Sequence, residues 1–288
     1  MHRTYGRILQ RGLCAAVMAV AVMAVAQGAD VPKFEVDPFW PKPLPNNWTL
    51  GQVAGVAVDE RDHVWIMQRP RSLSRLEAAA AQTPPRGKCC VPAPPVIEFD
   101  PAGNVVQAWG GDGAGYDWPK QEHGIRVVGD SVWFGGNHRD DGFLLKFTRD
   151  GKFVKQLGKA GPRKGDQDTT QLGQPADFWI DGAANELYVA DGYGNHRIIV
   201  FDAVSGAFKR MWGAYGKPPT DLMLPGYDPN APQFANPVHC VKVSRDGFVY
   251  VCDRNNNRMQ VFRSDGSFVR QFVYEPKTQG SGSVWDAV

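Results

Sequence analysis

The chain has 288 residues, with 32 Gly, 22 Pro and 43% hydrophobic residues and no long helical periodicity. That composition excludes a helical bundle and predicts a turn-rich, all-β protein. A net charge of +2, with no basic cluster or interleaved aromatic stripe, excludes a nucleic-acid role.

At the N-terminus, Arg3, Arg7 and Arg11 precede an apolar run from Leu13 to Ala26, followed by the small residues Gly28 and Ala29. Residues 1–29 therefore predict a secretory signal peptide. The apolar run is too short to span a bilayer comfortably, and an uncleaved membrane anchor is the competing reading. Residues 30–288 are then expected to be exported, periplasmic or extracellular, as one folded domain with no membrane insertion after cleavage.

A four-strand unit recurs four times. Its second strand reads VWIMQR, VWFGGN, LYVADG and VYVCDR, starting at Val64, Val132, Leu187 and Val249, at intervals of 68, 55 and 62 residues. Each unit adds an outer hairpin, from Val96, Phe143, Arg197 and Arg258, in which alternating apolar and polar residues flank Gly-containing turns. Repeated four-stranded antiparallel units predict the blades of a β-propeller around a central channel. Gly282–Val288 (GSVWDAV) is expected to start a fifth blade.

Within the first unit, Pro70–Pro95 is an insertion with a helix predicted over Leu76–Ala81 and a Pro-rich loop beyond it. Loops of that length in compact domains are usually functional or disordered. It leaves the chain next to Arg69 and either walls a site or decorates the surface. In an exported protein, cysteines pair. Cys240 and Cys252 fall nearly opposite each other on one hairpin, although a one-residue slip would part them. Cys89 and Cys90 are either a vicinal bridge or two free thiols.

His123 and His239 occupy the same place in repeats two units apart, each at the mouth of a short apolar strand, in EHGIRVV and PVHCVKV. Matching positions in alternate blades face one another across the axis, and two facing imidazoles suggest a metal. Each histidine alone would read as a polar residue at a channel rim. His63, His138 and His196 fall in turns, where solvated or hydrogen-bonding roles are the default. The Asn/Asp–Arg pairs around Arg197 and Arg258 are expected to brace the blades.

GQVAGVAVDERDHVWIMQR (51–69), EHGI (122–125), QPADFWIDGAANELYVADGYGNHRIIVFDAVSGAFKRMWG (174–213) and VHCVKVSRDGFVYVCDRNNNRMQVF (238–262) together resemble the peptidyl-α-hydroxyglycine α-amidating lyases, a branch of the NHL-repeat six-bladed propellers. The resemblance implies a zinc ion on the axis held by three histidines, of which His123 and His239 match two. Three protein ligands leave an open position, as a catalytic zinc requires. It further implies Tyr193 as the base that takes the substrate's α-hydroxyl proton, and Arg69 and Arg254 as cations for the substrate carboxylate and the phenolate. A structural calcium ion is implied through the carbonyls of Val56 and Ile125.

On this resemblance the chain is expected to be C-terminally truncated, with four complete blades and the start of a fifth where the family has six. The third zinc histidine and the calcium carboxylate would come from the sixth blade. The implied activity is a carbon–nitrogen lyase that splits an N-(α-hydroxyalkyl) amide, such as a peptidyl-α-hydroxyglycine, into an amide and glyoxylate. The implied partners are a small or peptidyl substrate with a carboxylate and a separate monooxygenase. The alternatives are a non-enzymatic exported NHL propeller that binds a protein or glycan, and a calcium-dependent lactonase, whose chemistry wants a carboxylate-rich axial site.

Overall fold

The structure, a computed structural model, describes residues 33–288; the predicted signal peptide, residues 1–29, lies outside them. Residues 33–38 belong to a separate unit, carry no strand or helix and are exposed. Phe39–Val288 form the second unit. Among the described residues no helix is long and apolar enough to cross a membrane.

Four four-stranded antiparallel sheets make four propeller blades, each laid down in sequence order. Blade 1 holds Gln52–Val58, Val64–Arg69, Val96–Phe99 and Val105–Trp109, and blade 2 holds Glu122–Val128, Ser131–Gly136, Phe143–Thr148 and Phe153–Gly158. Blade 3 holds Asp177–Asp181, Glu186–Asp191, Arg197–Asp202 and Phe208–Trp212, and blade 4 holds Val238–Val243, Phe248–Asp253, Arg258–Arg263 and Phe268–Val273. The predicted all-β propeller with four complete blades is thus the observed architecture. Residues 282–288, where a fifth blade was expected to start, carry no strand pairing. Trp285 and Asp286 line the axial cavity instead, where the Trp285 carbonyl accepts from His239.

The second and third strands of blades 2 and 3 are apolar on both faces because each has a neighbouring blade on each side. The outward face of blade 1 (Ile66, Ile97, Phe99) is instead covered by Trp40, Leu44 and Trp48. Trp65, Met67 and Val96 of blade 1 pack with Phe134, Leu145 and Phe147 of blade 2. The alternate residues Trp133 and Leu144 pack against Leu187, Val189 and Ile199 of blade 3. Tyr188, Ile198 and Val200 then meet Val241, Val249 and Phe262 of blade 4. Each such side chain, fully buried, contributes on the order of 1.5–3 kcal/mol. Blade-to-blade packing also explains two turn glycines. A Cβ on Gly151 or Gly266, both at positive φ, would fall 2.8–2.9 Å from Trp109 or Trp212 of the preceding blade.

Arg197 and Arg258 brace the fold as expected. Both guanidinium groups are fully buried, paired with Asp191 and Asp253 and donating to loop carbonyls ahead of their own blades. The helix expected over Leu76–Ala81 is only a 3-10 turn, Ala79–Ala81. Ser74 and Glu77 make the reciprocal bonds of a capping box. However, a single turn so close to Pro84 and Pro85 is too short to propagate. Both cysteine pairs are disulfides, Cys89–Cys90 and Cys240–Cys252. The second joins residues directly opposite in the register of blade 4.

Candidate active site at the channel mouth

The first strands of blades 1, 2 and 4 share a device that blade 3 lacks. Their pairing to the second strand slips between Val53 and Gly55, between Glu122 and Ile125, and between Val238 and Cys240, whereas blade 3 pairs regularly. A bulge leaves a residue unpaired and re-aims its side chain. The skipped positions include Ala54, His123 and His239, and all three line one cavity on the axis together with Ala176 of blade 3. The two histidines are turned into the channel by the backbone at these points.

Tyr193 arrives from the turn Asp191–Asn195 of blade 3. Its hydroxyl oxygen lies 3.2 Å from Nε2 of His123 and 3.1 Å from Nε2 of His239. The imidazole centroids are 5.9 Å apart. One hydroxyl carries one proton, so it donates to only one of the rings. His239 Nδ1 donates to the Trp285 carbonyl at 2.6 Å, which leaves its Nε2 to accept from Tyr193. His123 Nε2 then donates to the phenol oxygen, and its Nδ1 accepts from the Gly124 N–H at 2.9 Å.

Both rings are neutral at neutral pH. Burial, helped by the His239 ring and the Arg69 guanidinium, pushes His123 down to about 4. Burial lowers His239 as well, partly countered by its bond to the Trp285 carbonyl. Two converging uncharged imidazoles are the nitrogen ligands zinc takes. The Nε2 lone pair of His239 meets the Tyr193 hydroxyl, and His123 would have to move its proton off Nε2 for that nitrogen to bind a metal. The two rings supply two of the three imidazoles that the resemblance implies.

A pH prediction follows, because a ligand imidazole must be deprotonated. Two ordinary imidazoles of pKa ~6.5 would lose roughly tenfold in zinc affinity between pH 7.5 and 6.0. Here His123 is depressed to about 4 and His239 is lowered as well, so proton competition is weaker across that interval than for two ordinary imidazoles. Competition with a chromophoric chelator should therefore show an affinity nearly flat across that interval, and a tenfold fall would contradict the assigned burial.

Two arginines lie near the phenol, Arg254 beside its ring and Arg69 within its electrostatic reach. Arg69 Nε donates to the Glu122 carbonyl at 2.7 Å, while its terminal nitrogens reach Gln52 and Asn137. Glu122 directly precedes His123, so this anchoring ties blade 1's arginine to blade 2's histidine. Arg254 is 8% exposed, with its guanidinium carbon 5.8 Å from the Tyr193 ring centre and 4.2 Å from that of Trp285. Its Nε is buried without a hydrogen-bond partner among the described residues. A buried charged donor left unmatched is an anion site in waiting.

Val56 and Ile125 line the same axial cavity, of about 240 Å3, with Asp177 and Asp286. Arg126 and Lys242 hold Asp177 at 2.8–3.1 Å, and Lys242 also holds Asp286. Both carboxylates are thus paired to cations, and neither is the sixth-blade carboxylate that the resemblance implies for calcium.

Sequence reasoning missed a second cluster. Ligand atoms of Asp59, His63 and Glu98 lie within 4.8 Å of one another, which makes them a possible metal triad. Arg61 and Arg149 already donate to the two carboxylates at 2.6–3.1 Å. Those guanidinium groups supply the positive charge that a metal would otherwise bring. The Asp59-x-Arg61-x-His63 turn was a visible signal, but Glu98 lies 35 residues further on. His196, read as a turn residue, is buried and bonded to Asp166 at 3.0 Å.

The NHL repeat model matches residues 238–262, the first three strands of blade 4, including His239 and Arg254. Over 243 residues the chain is 28% identical to NHL repeat-containing protein 3 of Mus musculus, covering 81% of this chain and 58% of that protein. It is 26% identical to peptidylglycine alpha-amidating monooxygenase of Rattus norvegicus over 81% of this chain and 22% of that protein. With the Xenopus laevis monooxygenase A it shares 27% identity over 84% of this chain and 24% of that protein. Among solved structures, a gluconolactonase from Xanthomonas campestris aligns with a TM-score of 0.49 and 15% identity, over 78% of this chain and 62% of that one. The architecture defines a β-propeller, and one stretch of its fourth blade matches the NHL repeat. Within that class the chain is distantly related to the amidating monooxygenases and resembles the amidating lyases, and it spans less than two thirds of these relatives' own length.

Proposed function

We propose that the channel mouth is the active site of a zinc-dependent lyase that splits N-(α-hydroxyalkyl) amides, such as a peptidyl-α-hydroxyglycine, into an amide and glyoxylate. The observation that carries this reading is a single phenol oxygen, Tyr193 Oη, within hydrogen-bond reach of two neutral imidazoles and with Arg69 and Arg254 near it. Zinc held by Nε2 of His123 and His239 would polarise the substrate hydroxyl oxygen as a Lewis acid.

The chain's own groups do the rest. Arg254, through its unmatched Nε, and Arg69 bind the substrate carboxylate and turn the α-hydroxyl toward Tyr193. In this reading Tyr193 acts as a phenolate, its O–H proton lost beforehand and its charge balanced by Arg69 and Arg254; it takes the hydroxyl proton, and the freed O–H electron pair becomes the new C=O bond. The C–N bond breaks as the amide nitrogen takes that proton from Tyr193, which returns the phenol to its starting form. Atoms and electrons balance with no oxidant or reductant, and a separate monooxygenase would supply the hydroxylated substrate. Export to the periplasm or cell exterior is part of this reading, and two disulfides, which persist in oxidising compartments, support it.

The second reading, a non-enzymatic binding propeller, is favoured by the match to NHL repeat-containing protein 3, whose name carries no activity. Incubating the zinc-loaded protein with N-acetyl-phenylalanyl-α-hydroxyglycine separates the two. Release of amide and glyoxylate above spontaneous breakdown, abolished by a chelator, is expected. Release no faster than breakdown would move the chain to the binding class.

A further inference from the structure

We infer that a side pocket between blades 3 and 4 receives the residue that precedes the reacting glycine and selects an apolar side chain there. This rests on the lyase reading for the direction in which substrate lies, but not for the pocket itself. The loop joining the two blades places Met223, Leu224, Tyr227 and Phe234 around a cavity of about 330 Å3, within the size range of ligand sites. Met223 is 74% exposed and Tyr227 37%, so large apolar side chains border the opening, opposite the polar His196, Thr278 and Gln279 of the same lining.

The inner wall ties this cavity to the reacting groups. Asn236, which lines it, donates through Nδ2 to the main-chain carbonyl of Tyr193. Asn255, the next residue after Arg254, also lines it and donates through Nδ2 to the Asn236 carbonyl at 2.6 Å. A substrate whose carboxylate meets Arg254 therefore leads its acyl portion past Asn255 into the pocket. Asn255 Oδ1 is buried and has no hydrogen-bond partner among the described residues. A buried acceptor left unmatched is costly, and the main-chain N–H of a peptidyl substrate supplies the donor it lacks. The chemistry is that of one extended residue, with its N–H on Asn255 and its side chain against Met223, Leu224 and Tyr227.

The test compares N-acetyl-phenylalanyl-α-hydroxyglycine with N-acetyl-glycyl-α-hydroxyglycine on the zinc-loaded protein. Filling a hydrophobic pocket is worth about ten- to two-hundredfold in kcat/KM, so a preference of at least about tenfold for the phenylalanyl substrate is expected. Leu224→Arg and Met223→Glu should each bring that ratio close to one. Met223 is on the surface, so its variant keeps the test alive if Leu224→Arg fails to fold. A ratio near one in the parent protein, or one unchanged in both variants, would overturn the pocket. If nothing turns over, calorimetry with the unreactive N-acetyl-phenylalanyl-glycine and N-acetyl-glycyl-glycine decides. A tenfold binding preference that the variants lose keeps the pocket while the lyase reading fails, and no preference removes the pocket as well.

Discussion

Tyr193→Phe should lower turnover of a peptidyl-α-hydroxyglycine by ~10²–10⁴, the usual worth of a positioned general base. The substitution removes one oxygen from a ring that stays where it is, because the turn carrying it is fixed by other bonds. Asp191 accepts from the Gly173 N–H and from Asn195, and the Tyr193 carbonyl accepts from Asn236. Fold and zinc content should therefore survive. The two imidazoles lose the atom that bridges them, so the effect belongs in kcat rather than in substrate affinity. Turnover equal to the parent's would remove the phenol from the mechanism.

The second large effect is on stability. Arg197→Ala should cost ~3–5 kcal/mol, the range for breaking a buried ion pair, which in a chain of this size lowers Tm by about 10 °C. Arg197 and Asp191 are both fully buried, with nitrogen and oxygen 2.9 Å apart. The guanidinium also donates to the carbonyls of Asp166, Asp168 and Gln171, at 2.5–3.1 Å. Alanine leaves those carbonyls and a buried carboxylate short of donors, at the root of the turn that presents Tyr193. Thermal unfolding should show the loss, and a Tm within two or three degrees of the parent would mean that the network is replaceable.

The blades were legible because strand alternation and glycine turns are local signals. The shared register of His123 and His239 was legible because repeats place equivalent residues at equivalent depth. What turns those rings inward was not, since the slips at Glu122–Ile125 and Val238–Cys240 are properties of pairing between strands. The same holds for Trp285, which joins the site through its carbonyl and its ring although its own segment forms no strand. The helix expected over Leu76–Ala81 failed for an energetic reason, as composition favoured it but length did not. The pairing of Asp177 with Arg126 and Lys242 depends on contacts across 51 and 65 residues of sequence. No local pattern carries that information.

The central claim is that zinc belongs to His123 and His239 and not to the Asp59–His63–Glu98 cluster. X-ray absorption at the zinc edge, on the protein loaded with one equivalent, tests it directly when repeated on His123→Ala and on His63→Ala. The account predicts imidazole nitrogens at ~2.0–2.1 Å, a signal lost or reduced in His123→Ala and unchanged in His63→Ala. The reverse pattern, with zinc retained by His123→Ala and lost from His63→Ala, would contradict it.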